Sequence, residues 1–174
     1  MGDDERLAQF ERAILPHLDA AYNLARWLTH NDHDSEDVVQ EASLRAYQFF
    51  DGFHGSDGRP WFLRIVRNTC YTWLERNRAM KPATLDEEVH PITSSGPGPD
   101  SRLIQSEDRQ LLNDALEELA AEYREVIVLR ELEGLSYKEI AGIVNVPLGT
   151  VMSRLARGRE RLQQALTERA NKET

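Results

Sequence analysis

Residues 82 to 101 are the one stretch of this chain dense in proline, glycine and serine, with Pro82, Pro91, Pro97 and Pro99 among them. Proline removes a backbone donor and glycine weakens any regular element, so neither a helix nor a strand runs through it. On either side, apolar residues recur at helical spacing, and no sustained alternation of period two is found. The chain is therefore expected to be all-α: two small helical domains joined by a flexible linker. The expected bounds are residues 1–80, a linker at 81–105 carrying Asp86, Glu87 and Glu88, and residues 106–174.

In the first half Leu7, Phe10, Ile14, Leu18, Ala21, Ala25 and Leu28 form a stripe. Pro16 falls inside it and should kink or split that helix. Asn31 to Ser35 reads as a turn, and Val38, Val39, Ala42, Leu44, Ala46 and Tyr47 belong to a second helix. Gly52, Gly55 and Gly58 break the chain before a third, from about Pro60 to Arg78. In the second half Leu111, Leu112, Ala115, Leu116 and Leu119 mark one helix. Val126, Ile127 and Leu132 mark the next, ending near Gly134.

The net charge of -9 argues against nucleic-acid binding when taken alone, but the charges are unevenly placed. Residues 59 to 81 carry Arg59, Arg64, Arg67, Arg76, Arg78 and Lys81 against Glu75 alone. Residues 150 to 161 carry Arg154, Arg157, Arg159 and Arg161 against Glu160 alone. Two basic islands on an acidic chain suit a nucleic-acid ligand, with the acidic remainder either suppressing stray DNA binding or meeting a basic protein partner. The acidic N-terminus, the short apolar runs and the lone Cys70 point to a cytoplasmic protein without membrane insertion or an internal disulfide.

Near the C-terminus, Ser136-Tyr137-Lys138-Glu139 has the form of a capping box. It would start a short helix with Ile140, Ala141 and Val144 inward. Asn145 follows, a residue that tolerates the left-handed backbone of a tight turn. Pro147 suits a first helical turn. In the next helix Leu148, Val151, Leu155, Leu162 and Leu166 fall on one side. Thr150, Ser153, Arg154, Arg157 and Arg161 fall on the other. This is the helix-turn-helix plan, whose second helix enters a major groove. The competing reading is a solvated basic face on a bundle helix.

The helix before the linker divides in the same way. Phe62, Ile65, Val66, Thr69, Cys70 and Trp73 form a core side, and Arg64, Arg67, Asn68, Tyr71, Glu75 and Arg78 the other. Arginines beside an exposed Tyr71 and a nearby Trp61 suit single-stranded nucleic acid, because bases stack on aromatics while arginines follow the backbone. Trp61 reads equally as a core residue. The preceding loop Phe53-His54-Gly55-Ser56-Asp57-Gly58 could let the backbone wrap a flipped base. His30-Asn31-Asp32-His33-Asp34 reads as a helix turn rich in small polar residues rather than a metal site, and Cys70 as a core thiol. No phosphate loop or nucleophile motif is found, so no catalytic residue, metal or cofactor is expected, and no enzyme.

Four strings occur in order: Asp37-Val38-Val39-Gln40-Glu41-Ala42 with Leu44-Arg45-Ala46-Tyr47; Pro60 to Thr69; Tyr123 to Arg130; and Gly149 to Leu155. Together they resemble the extracytoplasmic-function branch of the bacterial sigma-70 family, over nearly the whole chain except the linker. The resemblance implies a sigma2-like helical bundle and a sigma4-like helix-turn-helix. It implies a factor that binds core RNA polymerase and directs promoter-specific initiation in a stress response, controlled by an anti-sigma factor. Asp37, Gln40, Glu41 and Arg45 match the positions that dock on the clamp of the largest polymerase subunit. Arg59, Trp61, Arg64, Arg67 and Tyr71, with Phe53 and Asn68 at the flipped-base pocket, form the candidate minus-ten set. Thr150, Ser153, Arg154, Arg157 and Arg161 are the candidate minus-thirty-five set, read as duplex. The segment from Val126 to Leu132 would face the flap of the second-largest subunit, and the acidic linker would thread toward the RNA-exit channel. Met152, Ala156 and Ala120 depart from residues common in the family. Two other readings are a sigma-like decoy that titrates an anti-sigma protein, and a repressor that works without polymerase.

Overall fold

A computed structural model of the chain describes residues 2–80 and 103–172. The proposed path of the acidic linker lies outside the described residues, apart from 103–105, which already belong to a helix. The order is α1 (Asp3–Ile14), a 3₁₀ turn (Leu15–His17), α2 (Leu18–Thr29), α3 (Asp32–Gln48), a 3₁₀ turn (Phe50–Gly52) and α4 (Gly58–Met80). After the gap come α5 (Leu103–Glu118), α6 (Ala121–Ile127), a π-helical turn (Val128–Leu132), α7 (Tyr137–Val144) and α8 (Leu148–Lys172). There is no strand among the described residues.

Local chemistry sets the boundaries. Pro16 sits in the 3₁₀ turn that separates α1 from α2, as its missing amide requires. His30 ends α2 in the left-handed region, at φ 60. Asn31 then caps α3, its side-chain oxygen accepting from the Asp34 amide at 3.0 Å. Gly134, at φ +68, closes the π-helical turn, a backbone state that glycine adopts without steric cost.

In the first half α2, α3 and α4 pack on one another around Leu24, Leu28, Val38, Ala42, Phe62 and Val66. The start of α4 meets the end of α1. A Cβ on Gly58 would lie 2.4 Å from the Ala13 carbonyl oxygen, so only a glycine fits this approach. In the second half α5, α6 and α7 pack on α8 around Leu116, Val126, Ile127, Val151 and Leu155. The two halves also dock. Helix α4 lies against α7 and α2 against α6, and the buried apolar residues of both form one continuous cluster.

Four leucines that the apolar pattern placed in helices are exposed: Leu7 at 43 %, Leu44 at 62 %, Leu132 at 49 % and Leu148 at 47 %. Leu7 lies in the N-terminal part of α1, whereas the helix is buried at its C-terminal residue, Ile14. Leu148 opens α8 before the first buried residue of that helix, Val151. Leu44 stands seven residues after Asp37 and so shares its outward face. Among the described residues no helix is long and apolar enough to cross a membrane.

Candidate nucleic-acid interface

Helix α4 carries its polar residues in two environments. Arg64 and Asn68 are exposed, four residues apart on one face. Arg67, one position before Asn68, turns toward the second half. Its Nε and a terminal nitrogen donate to the two carboxylate oxygens of Glu125 at 2.9 and 3.1 Å. Its guanidinium lies 3.8 Å from the centre of the Tyr71 ring. Tyr71 is thus half-buried, with its hydroxyl inside, and not exposed as the helical angle alone suggested. Arg59, in the first turn of α4, pairs with Glu133 at 3.5 Å and also donates to the Glu133 carbonyl. Glu133 accepts a further bond from Asn23 of α2 at 2.7 Å.

Glu125 is fully buried. Desolvation pushes its carboxyl up, against the pull of Arg67. Desolvation also opposes the charge on Arg67, but the carboxylate outweighs it there. A guanidinium stays protonated in proteins, so Arg67 brings a full positive charge to the buried carboxyl. Burial and the same carboxylate push the Tyr71 phenol up. They raise the neighbouring Cys70 thiol to about 12, which leaves it an inert core thiol. At the edge of this interface His30 is held down at about 4, first by burial and then by the Arg124 guanidinium. Arg124 is buried and donates to the carbonyls of Glu117 and Leu119 at 3.1 and 2.7 Å, closing the end of α5.

The loop before α4 builds an aromatic group. Phe53 lies 5.1 Å from Trp61 and 5.9 Å from Phe50, and Phe10 meets both Phe50 and Tyr47 edge-on. Such offset and edge contacts fix ring orientation. Phe53 and Trp61 are half-buried, so each keeps a packed side and an open one. A cavity beside Phe53 is lined by Arg6, Gln9, Phe50, Asp51 and Gly55.

The helix-turn-helix follows its expected local chemistry. The Ser136 oxygen accepts from the Glu139 amide at 3.1 Å while the Glu139 carboxylate accepts from the Ser136 amide at 3.0 Å. Asn145 turns the chain in the left-handed region, at φ 56. Pro147 stands just ahead of α8, its carbonyl accepting the first helical bonds from Thr150 and Val151. On α8, Ser153 and Arg157 are exposed, and Thr150 is half-covered. Arg154 leans back to 3.9 Å from Glu122. Arg161 lies 4.7 Å from the Tyr123 ring centre. Arg159 is tied to Glu131. Arg161 is exposed as well, so Ser153 and Arg157 are the exposed members of the expected duplex-reading set without a side-chain charge or ring partner among the described residues. Gly158 lets α8 approach α6, since a Cβ there would meet the Ile127 side chain at 2.8 Å.

On α3, Asp37 and Gln40 are exposed, while Glu41 and Arg45 pair at 2.9 Å and Arg76 of α4 lies 4.0 Å from Glu41. Leu44 shares this face and Phe49, at 65 % exposed, follows the helix. The patch thus has an apolar centre at Leu44. Glu125 and Glu133 were also missed as site residues. The signal for Glu125 was a carboxylate inside the apolar run from Tyr123 to Leu129, which burial would force to find a partner.

Residues 13–80 match the family model described as Sigma-70 region 2, and residues 109–162 match Sigma-70, region 4. The chain is 31 % identical over 170 residues to the ECF RNA polymerase sigma factor SigE of Mycolicibacterium smegmatis, covering 98 % of this chain and 66 % of that protein. It is 36 % identical over 135 residues to the ECF RNA polymerase sigma-E factor of Escherichia coli strain K12, covering 73 % and 71 %. The sigma factor RpoE from Bartonella quintana, solved in complex with the anti-sigma factor NepR, superposes with a TM-score of 0.72 at 30 % identity, over 91 % of this chain and 97 % of that one. With both regions in order on one helical chain, and sequence likeness on this scale, the chain belongs to the sigma-70 family, in its extracytoplasmic-function (ECF) branch.

Proposed function

We propose that this sigma factor binds core RNA polymerase and places it on promoters in a stress response, under the control of an anti-sigma factor. Its own contribution is binding and strand capture rather than catalysis, and its place of work is the cytoplasm. The first domain (1–80) takes the minus-ten element and the second (106–174) the minus-thirty-five element.

The observation that carries this reading is the pair of open basic surfaces, Arg64 with Asn68 on α4 and Ser153 with Arg157 on α8. Together they offer one surface to unpaired strand and one to duplex. Phe53 and Trp61, half-open beside α4, supply faces on which an unstacked base can rest. Arg59, Arg67 and Tyr71 complete the minus-ten set once freed from the second half. Thr150, Arg154 and Arg161 flank the duplex-reading pair. Asp37, Gln40, Glu41 and Arg45 around Leu44 form a mixed polar and apolar face for the polymerase clamp. The solved relative bound to an anti-sigma factor supports a protein regulator of this kind here.

Run-off transcription with core polymerase on genomic fragments tests the proposal. The chain is expected to direct discrete start sites. Asn68→Ala is expected to weaken open-complex formation while polymerase binding survives. No chain-dependent start site, or equal abortive transcription by Asn68→Ala, would remove the respective claim. Arg64, Arg157 and the clamp face favour this reading over a decoy, which has no use for open DNA-facing arginines.

A further inference from the structure

Helix α1 holds the loop that carries Phe53 at both of its ends. Arg6, Phe10 and Ala13 stand three or four residues apart and so share one face of the helix. At the near end the Arg6 guanidinium makes three contacts. Its Nη2 donates to the Tyr47 carbonyl at 2.9 Å, its Nε donates to Asp51 at 3.2 Å, and it lies 4.7 Å from the centre of the Tyr47 ring. Phe10 meets Tyr47 and Phe50 edge-on, and Phe50 stacks on Phe53 with 22° between the ring planes. At the far end Gly58 closes on the Ala13 carbonyl, and His17 lies 3.9 Å from Asp57. Between these ends every residue from Asp51 to Asp57 is exposed except Phe53. The loop therefore takes its order from what grips it, and most of the grip comes from α1. An ion pair as exposed as Arg6–Asp51, at 27 % and 85 %, stabilises little alone. Three contacts made by one planar group fix the direction in which the chain leaves α3.

Resting on the function proposed above, we infer that Arg6 is a positioning residue for base capture. It touches no base. It holds Tyr47 and Asp51, and through Phe50 it presents the open side of the Phe53 ring before the strand arrives. A ring already ordered loses less freedom on binding, so an unstacked base is held more tightly at that one position. Contacts from Arg64 to phosphate are not on this path. Arg6 thus bears on which base is held, and little on general affinity for DNA. Most of α1 precedes residue 13, where the stretch matched to region 2 begins.

The experiment is a cycle between the side chain and the base. The full chain is assembled with core polymerase on a promoter found by run-off transcription. Open-complex formation is measured on that promoter, and on copies in which one base at a time of the minus-ten non-template strand is replaced by an abasic site. Arg6→Ala is expected to weaken the intact promoter about tenfold, and to add little to the loss at one abasic position, that of the base resting on Phe53. At every other position the two losses should multiply. Arg6→Lys, which keeps a donor for the Tyr47 carbonyl, should show a smaller coupling at the same position. Arg12→Ala removes the same charge from an exposed site on α1 and should show none. Equal weakening by Arg6→Ala on every template would overturn the inference. With a shallower salt dependence it would make Arg6 a phosphate contact, and with a lower Tm a general prop of the fold. Should Arg6→Ala fail to fold, Asp51→Ala removes the loop end of the same contact from an exposed position and carries the test. Run-off transcription by the wild-type chain separates the two levels. A chain that directs discrete start sites, with no coupling confined to one position, keeps its function and loses the brace. A chain that directs none loses both.

Discussion

Two glycines that look alike in the sequence should respond differently to the same methyl group. At Gly58 an added Cβ would sit 2.4 Å from the Ala13 carbonyl oxygen and 3.2 Å from its carbon. Both atoms are backbone, and a helix end cannot yield locally, so α1 and α4 must move apart. Overpacking of this kind costs about 1–3 kcal/mol. Gly58 is the first residue of α4, where replacing glycine gains little helix propensity. Gly58→Ala is thus expected to lower stability by about 2 kcal/mol, or roughly 4–8 °C in Tm for a chain of this size. At Gly158 the nearest atom is the terminal methyl of Ile127 at 2.8 Å, which can swing by rotation of its own side chain. Gly158 is inside α8, so alanine gains about 1 kcal/mol of propensity against a similar packing cost. Gly158→Ala should leave Tm nearly unchanged. Thermal unfolding followed by far-ultraviolet circular dichroism measures both. Equal losses from the two variants, or an unchanged Tm for Gly58→Ala, would refute the claim that backbone contact decides the sign.

Ser136→Ala removes the side-chain acceptor of the Glu139 amide at the start of α7, leaving the Ser136 amide bonded to the Glu139 carboxylate, and should cost about 1 kcal/mol, seen as a lower midpoint in urea. His30 is depressed to about 4 from 6.5, so its contribution to stability is complete above pH 6.5 and is lost as pH falls toward 4. Allowing for screening at a part-exposed ring, that loss is roughly 1–2 kcal/mol. His30→Asn keeps a residue that tolerates φ 60 and should flatten stability between pH 6.5 and 4; an unaltered profile would locate the acid sensitivity elsewhere. Arg157→Ala should weaken duplex binding of the second half by about 1–3 kcal/mol if it reads a base. A uniform loss across sequences with a shallower salt dependence would make it a phosphate contact instead.

Leu44 and Glu125 show where reading by periodicity stops. Leu44 is apolar and was counted only as one of the residues of the second helix, yet it points out beside Asp37 and Gln40. Periodicity gives the angle of a residue on its helix, but not how far round the helix its neighbours reach. Glu125 has the reverse problem. A charge in a buried run signals a partner, and that partner, Arg67, is 58 residues earlier in the chain. The candidate minus-ten set was chosen as residue types on α4 and, at Phe53, on the loop before it. Its division into open Arg64 and Asn68, and covered Arg59, Arg67 and Tyr71, was not legible there.

What the chain specifies locally could be read directly. Pro16 splits the first helix because it lacks an amide, and Asn145 turns the chain because its side chain tolerates a left-handed backbone. Ser136 and Glu139 start α7 because their bonds close within one turn, and helical spacing of apolar residues excluded a sheet. Each depends on residues within a few positions of one another. The docking of the second half on α4, the burial of the Arg67–Glu125 pair, the close approach at Gly58 and the outward turn of Leu44 depend on contacts between distant segments. Helical spacing constrains those contacts only as apolar surface in need of a partner. Which surface becomes the partner is settled by shape and charge in three dimensions.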